Sequence, residues 1–190
     1  MPARVDPSDF EALYRRDPDP WNFGTSPYEL GKYDETIDAL AGERFPRALE
    51  LGCSIGVLTA ALAPATEQLV AIDSSPTAVA AARERLGGSP GVTLLEATLP
   101  EELPAGPWNL IVASEILYYF DAGLLEAVLE ALERELVAGG TLLAVHYTDE
   151  APDHRLSGDA VHAALLRRSA LRHVGGQRHR GYRIDRFERR

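Results

Sequence analysis

The chain has 190 residues, 45% of them hydrophobic, and a formal net charge of −10. That is enough apolar material for one well-filled domain, while so acidic a balance argues against broad nucleic-acid or anionic-membrane surfaces, which select clustered Lys and Arg. The one cysteine, Cys53, excludes an internal disulfide framework; no Cys/His cluster has zinc-ligand spacing, so no metal is expected.

Met1 is followed by a polar, acidic segment, and no apolar run approaches the roughly 18 residues of a membrane span, so neither a signal peptide nor a span is supported; a cytoplasmic protein is expected, as a monomer or homodimer. Ser8-Asp9-Phe10-Glu11 has the pattern of a capping box and predicts a short helix through Arg16, stopped by Asp17-Pro18-Asp19-Pro20. Next, Trp21, Phe23 and Tyr28 stand among turn formers, as either a lid over a ligand or a clamp for the N-terminus. Ser26, Pro27 and Glu29 open a second helix, with Leu30, Tyr33, Ile37 and Leu40 on its apolar face and Gly42 at its end. Residues 1–43 thus read as a helical cap on a core spanning 44–190, the whole forming one domain.

The stretch Arg47 to Leu62, RALELGCSIGVLTAAL, reads as strand, tight turn and helix. Ala48, Leu49 and Leu51 suit a strand buried on both faces, and Ile55, Leu58 and Leu62 recur at helical spacing. Between them, Gly52, Cys53, Ser54 and Gly56 let the backbone approach a ligand closely. The pattern is acidic-x-Gly-x-Ser-x-Gly, with Glu50 inside the strand end. It is not the dinucleotide fingerprint G-x-G-x-x-G, which would need glycines at Ser54 and Val57. On these residues alone, the loop also suits an ordinary turn of another α/β protein.

Gln68 to Ile72 forms a second strand stopping at Asp73, and Ser75 caps a helix that opens at Pro76 and ends at Gly87-Gly88. Asp73 lies about twenty residues past the first glycine, where an acid accepts hydrogen bonds from a ribose diol or helps cap the next helix. Val92 to Ala97 and Asn109 to Ser114 are further strands. Asp121 caps a long helix with Leu124, Leu125, Val128, Leu132 and Leu136 on its buried face. Its run of Glu126, Glu130, Glu133 and Arg134 reads as solvated surface, and Gly139-Gly140 ends it. Thr141 to Tyr147 is the fifth strand, Asp159 to Arg168 a helix, and segments near Leu171–His179 and Gly181–Phe187 pair as a terminal hairpin. In that hairpin Tyr182 and Ile184 alternate, but Phe187 falls on the other face.

Strands alternating with helices predict a Rossmann-like, doubly wound, mostly parallel seven-stranded sheet with a C-terminal antiparallel hairpin, and such sheets bind ligands at the C-terminal ends of their strands. The candidate residues gather there: the loop 52–56, Asp73-Ser74, Ala97-Thr98, Ser114-Glu115 and His146-Tyr147. A nicotinamide enzyme would use the same arrangement, but the acidic-x-Gly loop and the hairpin favour a methyltransferase.

The loop resembles the first motif of class I S-adenosylmethionine-dependent methyltransferases, with Ser54 in place of the usual middle glycine. From Asp17 to about Phe120, DPWNFGTSPYELGKYDETI, LELGCSIGVLT, VAIDSSPTAV and NLIVASEILYYF resemble the nodulation N-methyltransferase (NodS-like) family. In that family the acceptor is the amine of a deacetylated chitooligosaccharide. The resemblance implies S-adenosyl-L-methionine as cofactor and S-adenosyl-L-homocysteine as product. It implies that Glu50 orients the methionine end, that loop 52–56 wraps it, that Asp73 with Ser74 holds the ribose, and that Ala97-Thr98-Leu99 flank the adenine. Many relatives have an acid where Thr98 stands, so backbone groups would carry more of adenine recognition here. Trp21, Tyr28 and Ser114 complete the expected cofactor pocket.

Methyl transfer needs alignment and exclusion of water more than covalent help, and an amine acceptor must arrive neutral. Glu115, Tyr119 and His146, with Tyr118 and Tyr147, are the candidates for positioning or deprotonating a small-molecule acceptor. Packing tyrosines and a satisfied structural histidine are the alternatives. A small-molecule O-methyltransferase and a non-catalytic cofactor-binding module also fit the residues. No Asn/Asp-Pro-Pro-aromatic motif of amine methylation follows the fourth strand.

Overall fold

In a computed structural model of the chain, residues 2–149 and 151–190 are described. The fold condenses about two compact units, Pro7–Thr98 and Leu99–Arg190, the second joined by the N-terminal residues up to Asp6.

The first unit opens with helices α1 (Pro7–Arg16) and α2 (Pro27–Asp38). Ser26 caps α2 as its sequence predicts, its side chain accepting the Glu29 N–H at 3.4 Å. The capping-box reading of Ser8 and Glu11 does not hold in the same way. Helix α1 already starts at Pro7, and the Glu11 carboxylate turns away to Ser75 and Thr77, where two hydroxyls and a free helix N–H outcompete its own backbone. Strands β1 (Phe45–Leu51), β2 (Thr66–Asp73) and β3 (Val92–Glu96) are parallel, with Leu49 opposite Val70 and Asp73 opposite Glu96. Helix α3 (Val57–Leu62) follows β1, and α4 (Pro76–Leu86) follows β2 under the Ser75 cap, ending at left-handed Gly87. Ile55 precedes α3 instead of lying on it, and packs with Tyr14 and Ala78.

The second unit holds β4 (Trp108–Ser114), α5 (Ala122–Glu135), β5 (Leu136–Tyr147), α6 (Gly158–Leu166), β6 (Leu171–Arg178) and β7 (Tyr182–Arg189). Helix α5 stops four residues before the glycines expected to end it. Leu136 is already extended (φ −74°, ψ 143°) and pairs with Trp108, while Gly139 (φ 75°) lies in an irregularity before Leu110 meets Thr141. Gly139-Gly140 therefore lets β5 regain register; it does not end the helix. Nor are all the α5 glutamates merely solvated, because the Arg168 guanidinium takes both Glu133 oxygens (2.5 and 2.8 Å) and Glu126 (2.7 Å).

Strand order is β3-β2-β1-β4-β5-β7-β6, a seven-stranded sheet in which β5, β7 and β6 alternate in direction as the predicted hairpin requires. Strand β7 lies between β5 and β6, so Phe187 is as buried as Tyr182 and Ile184 although it points to the other face.

Candidate functional site

In the first unit the loop after β1 is a run of left-handed turns: Gly52 (φ 71°), Ser54 (φ 51°) and Gly56 (φ 78°). At Gly56 a side chain would also press on Ala82 of α4, whose Cβ would lie 3.0 Å from it, so glycine is required twice over. Ser54 occupies a conformation that costs a non-glycine residue about 1–2 kcal/mol. Two contacts offset that cost. The Tyr14 hydroxyl of α1 donates to Ser54 Oγ at 2.5 Å, and the Ser54 N–H donates to Asp73 Oδ2 at 2.9 Å. Asp73 Oδ1 accepts the Ser75 N–H at 2.9 Å, so this carboxylate joins the loop to the start of α4. Burial pushes the Asp73 carboxyl above its ordinary range against the pull of these N–H groups. The Cys53 thiol is buried, which raises its pKa well above that of a free thiol, and its N–H donates to Ile72 O.

Glu50 is the unusual group. It is 1% exposed at the end of β1, and Oε2 has no hydrogen-bond partner among the described residues. Burial, reinforced by the negative charge of Asp73, raises its carboxyl to about 7. An unpaired buried oxygen costs on the order of 1–3 kcal/mol, more for a charged group, so a cation brought beside it would be bound strongly. Ala97 follows β3 and ties its N–H to Asp73 O at 2.9 Å, with Thr98 next in line and Ser74 between β2 and the α4 cap. Trp21 sits edge-on to Tyr14 (5.6 Å) and stacks on Phe23 (5.4 Å), packed against the Tyr14–Ile55–Ala78 cluster. Tyr28 is 43% exposed, its ring 5.5 Å from the Lys32 ammonium.

In the second unit the C-terminal ends of β4 and β5 carry another cluster. Ser114 is buried at the end of β4, and Glu115 follows it in a left-handed conformation (φ 55°). Glu115 Oε2 accepts the Tyr118 hydroxyl at 2.6 Å and the Tyr147 N–H at 2.9 Å. Burial, with the Glu115 charge beside it, lifts the Tyr118 phenol well above its normal range, so the hydroxyl remains a donor. Tyr119 lies edge-on to Tyr118 at 4.8 Å. Leu99 is buried, and its carbonyl accepts from Arg4 at 2.6 Å.

His146 is fully buried and committed on both ring nitrogens. Leu117 N–H donates to Nε2 at 3.2 Å; Nδ1 therefore carries the proton and faces His162 Nε2 at 3.2 Å, and His162 Nδ1 in turn donates to Asp185 Oδ2 at 2.6 Å. This is the arrangement of a satisfied structural histidine, and it offers a substrate no lone pair. Two glycines make room for it. A side chain at Gly158 would collide with Tyr147 O, and one at Gly176 with the Asp185 carboxylate. The sequence reading missed His162, Asp185 and Tyr14; only the histidine ending a buried strand hinted that a partner must exist nearby.

Comparison with known proteins completes the description. Residues 7–178 match the family model of Nodulation protein S (NodS). Nodulation protein S of Rhizobium tropici is 30% identical over 127 residues, 66% of this chain and 53% of that protein; the Sinorhizobium fredii protein is 31% identical over 104 residues, 54% and 48% respectively. The chain spans about half the length of these curated relatives. Among solved structures, N-methyltransferase NodS from Bradyrhizobium japonicum WM9 in complex with S-adenosyl-L-homocysteine superposes with a TM-score of 0.83 at 24% identity, covering 96% of this chain and 97% of that one. A Pseudomonas syringae protein proposed to be a methyltransferase gives 0.75 at 36% identity over 85% and 99%. The chain therefore belongs to the NodS family, on the class I methyltransferase fold.

Proposed function

We propose that the chain is an S-adenosyl-L-methionine-dependent N-methyltransferase acting on a small-molecule amine, with an amino sugar as the first acceptor to test. The observation that carries the reading is Glu50 Oε2, buried and without a hydrogen-bond partner among the described residues, beside a loop whose residues 52, 54 and 56 are all left-handed. The methionine end of the cofactor brings an ammonium group, which would satisfy Glu50 and hold it ionised at neutral pH. Asp73 accepts the Ser54 and Ser75 N–H groups, and that of Ser74 also draws on it, which of roughly four lone-pair positions leaves one for a ribose hydroxyl. Gly52, Cys53, Ser54 and Gly56 would wrap the methionine chain, Ser74 would sit beside the ribose, and Ala97, Thr98 and Leu99 would flank the adenine. The relative of known structure is an N-methyltransferase, which supports an amine acceptor.

When bound, the cofactor supplies an already activated methyl group. The protein's own share is to align the acceptor, exclude water and manage one proton. The test is calorimetry with S-adenosyl-L-homocysteine and NAD, followed by transfer of labelled methyl to glucosamine, partially deacetylated chitooligosaccharide and catechol. Binding of S-adenosyl-L-homocysteine and labelling of the amines is expected. Tighter binding of NAD would overturn the class, and labelling of catechol alone would overturn the amine.

A further inference from the structure

In the first unit, one face of α1 acts on the loop after β1. Glu11 and Tyr14 stand one helical turn apart and reach the two residues whose N–H groups converge on Asp73, namely Ser75 and Ser54. The Glu11 carboxylate accepts from Ser75 Oγ (2.7 Å), Thr77 Oγ1 (2.8 Å) and the Thr77 N–H (3.2 Å), which fastens α1 to the start of α4. One turn on, Tyr14 is buried with Ile55 and Ala78, Trp21 packs edge-on to its ring, and its hydroxyl donates to Ser54 Oγ at 2.5 Å. Helix α1, Ser54, Asp73 and Ser75 thus close a ring of hydrogen bonds.

The rest of the loop is held by other means. The Cys53 N–H donates to Ile72 O at 2.8 Å, the Gly56 N–H returns to Cys53 O at 2.9 Å, and Arg85 Nε of α4 donates to Ile55 O at 2.8 Å. Of the left-handed residues 52, 54 and 56, only Ser54 carries a side chain, so it alone works against its own backbone preference. It is also the residue whose side chain α1 grips.

We propose that Tyr14 is a positioning residue for the cofactor: its hydroxyl holds Ser54 left-handed, and with it the shape of loop 52–56 that receives the methionine end. The inference rests on the cofactor reading above. A glycine at position 54 would adopt a φ of 51° unaided, whereas serine needs a brace. The Tyr14–Ser54 pair therefore does together what the usual middle glycine of the motif does alone. Without the hydroxyl the loop would drift to conformations that serine prefers, and a ligand needing the left-handed form would bind more weakly in proportion to the fraction that remains. A left-handed penalty of ordinary size corresponds to a roughly five- to thirtyfold loss of affinity.

The test is a cycle of wild type, Tyr14→Phe, Ser54→Gly and the double variant. Each is titrated with S-adenosyl-L-homocysteine by calorimetry once urea unfolding has shown a cooperative transition. Phenylalanine keeps the ring packed on Ile55 and Ala78 and removes only the donor. Tyr14→Phe alone should weaken binding roughly five- to thirtyfold, Ser54→Gly should stay within about threefold of wild type, and the double variant should bind like Ser54→Gly. That rescue is the signature, because a hydroxyl that touched the ligand, or one that merely supported the fold, would be missed equally with and without Ser54→Gly. Equal losses in the two backgrounds, or a Tyr14→Phe protein within about twofold of wild type, overturn the brace. A wild type that ignores S-adenosyl-L-homocysteine removes the cofactor reading itself, and the proposal with it.

Discussion

Replacing Glu50 by Gln should make the empty protein more stable and the cofactor-bound one less so. The carboxyl is isolated from water at 1% exposure, and its pKa rises from 4.5 to about 7. An acid whose folded pKa lies above its unfolded one binds more protons in the folded state between those values, so stability is fullest below 4.5 and declines as pH climbs to about 7. At about 1.4 kcal/mol per pH unit the full decline is about 3 kcal/mol, an upper figure because Asp73 titrates in the same neighbourhood. Glutamine keeps the shape without the charge and removes this decline. Urea unfolding at pH 5, 6, 7 and 8 should show wild type and Glu50→Gln converging at the acid end and diverging by as much as 3 kcal/mol at pH 8, about the decline worked above. Saturating S-adenosyl-L-homocysteine should reverse the order, since only the carboxylate can meet its ammonium. Parallel pH curves for the two proteins, or equal stabilisation by ligand, would refute the argument that Glu50 is an ionisable group kept for a cationic ligand.

Three further outcomes are expected. Asp73→Ala should weaken S-adenosyl-L-homocysteine binding by about 1.5–3 kcal/mol in calorimetry and also destabilise the empty protein, because the Ser54 and Ser75 N–H groups lose their acceptor; normal affinity would remove Asp73 from the ribose site. His162→Leu should cost about 3 kcal/mol in urea unfolding by leaving Asp185 with one partner fewer in a buried place, and an effect below about 0.5 kcal/mol would mean the relay is not a structural element. Hydrogen exchange across residues 17–33 should slow on adding S-adenosyl-L-homocysteine around Tyr28, which is exposed, while the segment around Trp21, packed on Tyr14 and Phe23, is protected already; uniform protection with and without ligand would make the whole segment a clamp.

What the sequence disclosed was what local rules encode. The caps at Ser26, Ser75 and Asp121 each accept the expected N–H, and the alternation of apolar strands and helices gives away the seven strands and their closing hairpin, though not their order in the sheet. It was silent where two distant pieces share one task. Ser54 looks like a defect in a glycine motif until Tyr14, forty residues earlier, is seen donating to its hydroxyl. Glu11 looks like half of a capping box until Ser75 and Thr77 take it. The end of α5 was misplaced for a related reason: glycines usually close helices, but at Leu136 pairing with Trp108 had already drawn the chain into the sheet.

The buried histidine relay has a direction that no member of it chooses. One backbone N–H, that of Leu117, fixes the first tautomer; each ring then passes a donor forward, and Asp185 must receive it as an acceptor. Such a chain tolerates only side chains that accept at one end and donate at the other. Asparagine or glutamine could stand in for a link, while an apolar residue, or a lysine with donors alone, would leave its neighbour facing a like group. A single apolar replacement within the relay therefore strands the groups on both sides of it, so its cost should exceed that of one lost hydrogen bond.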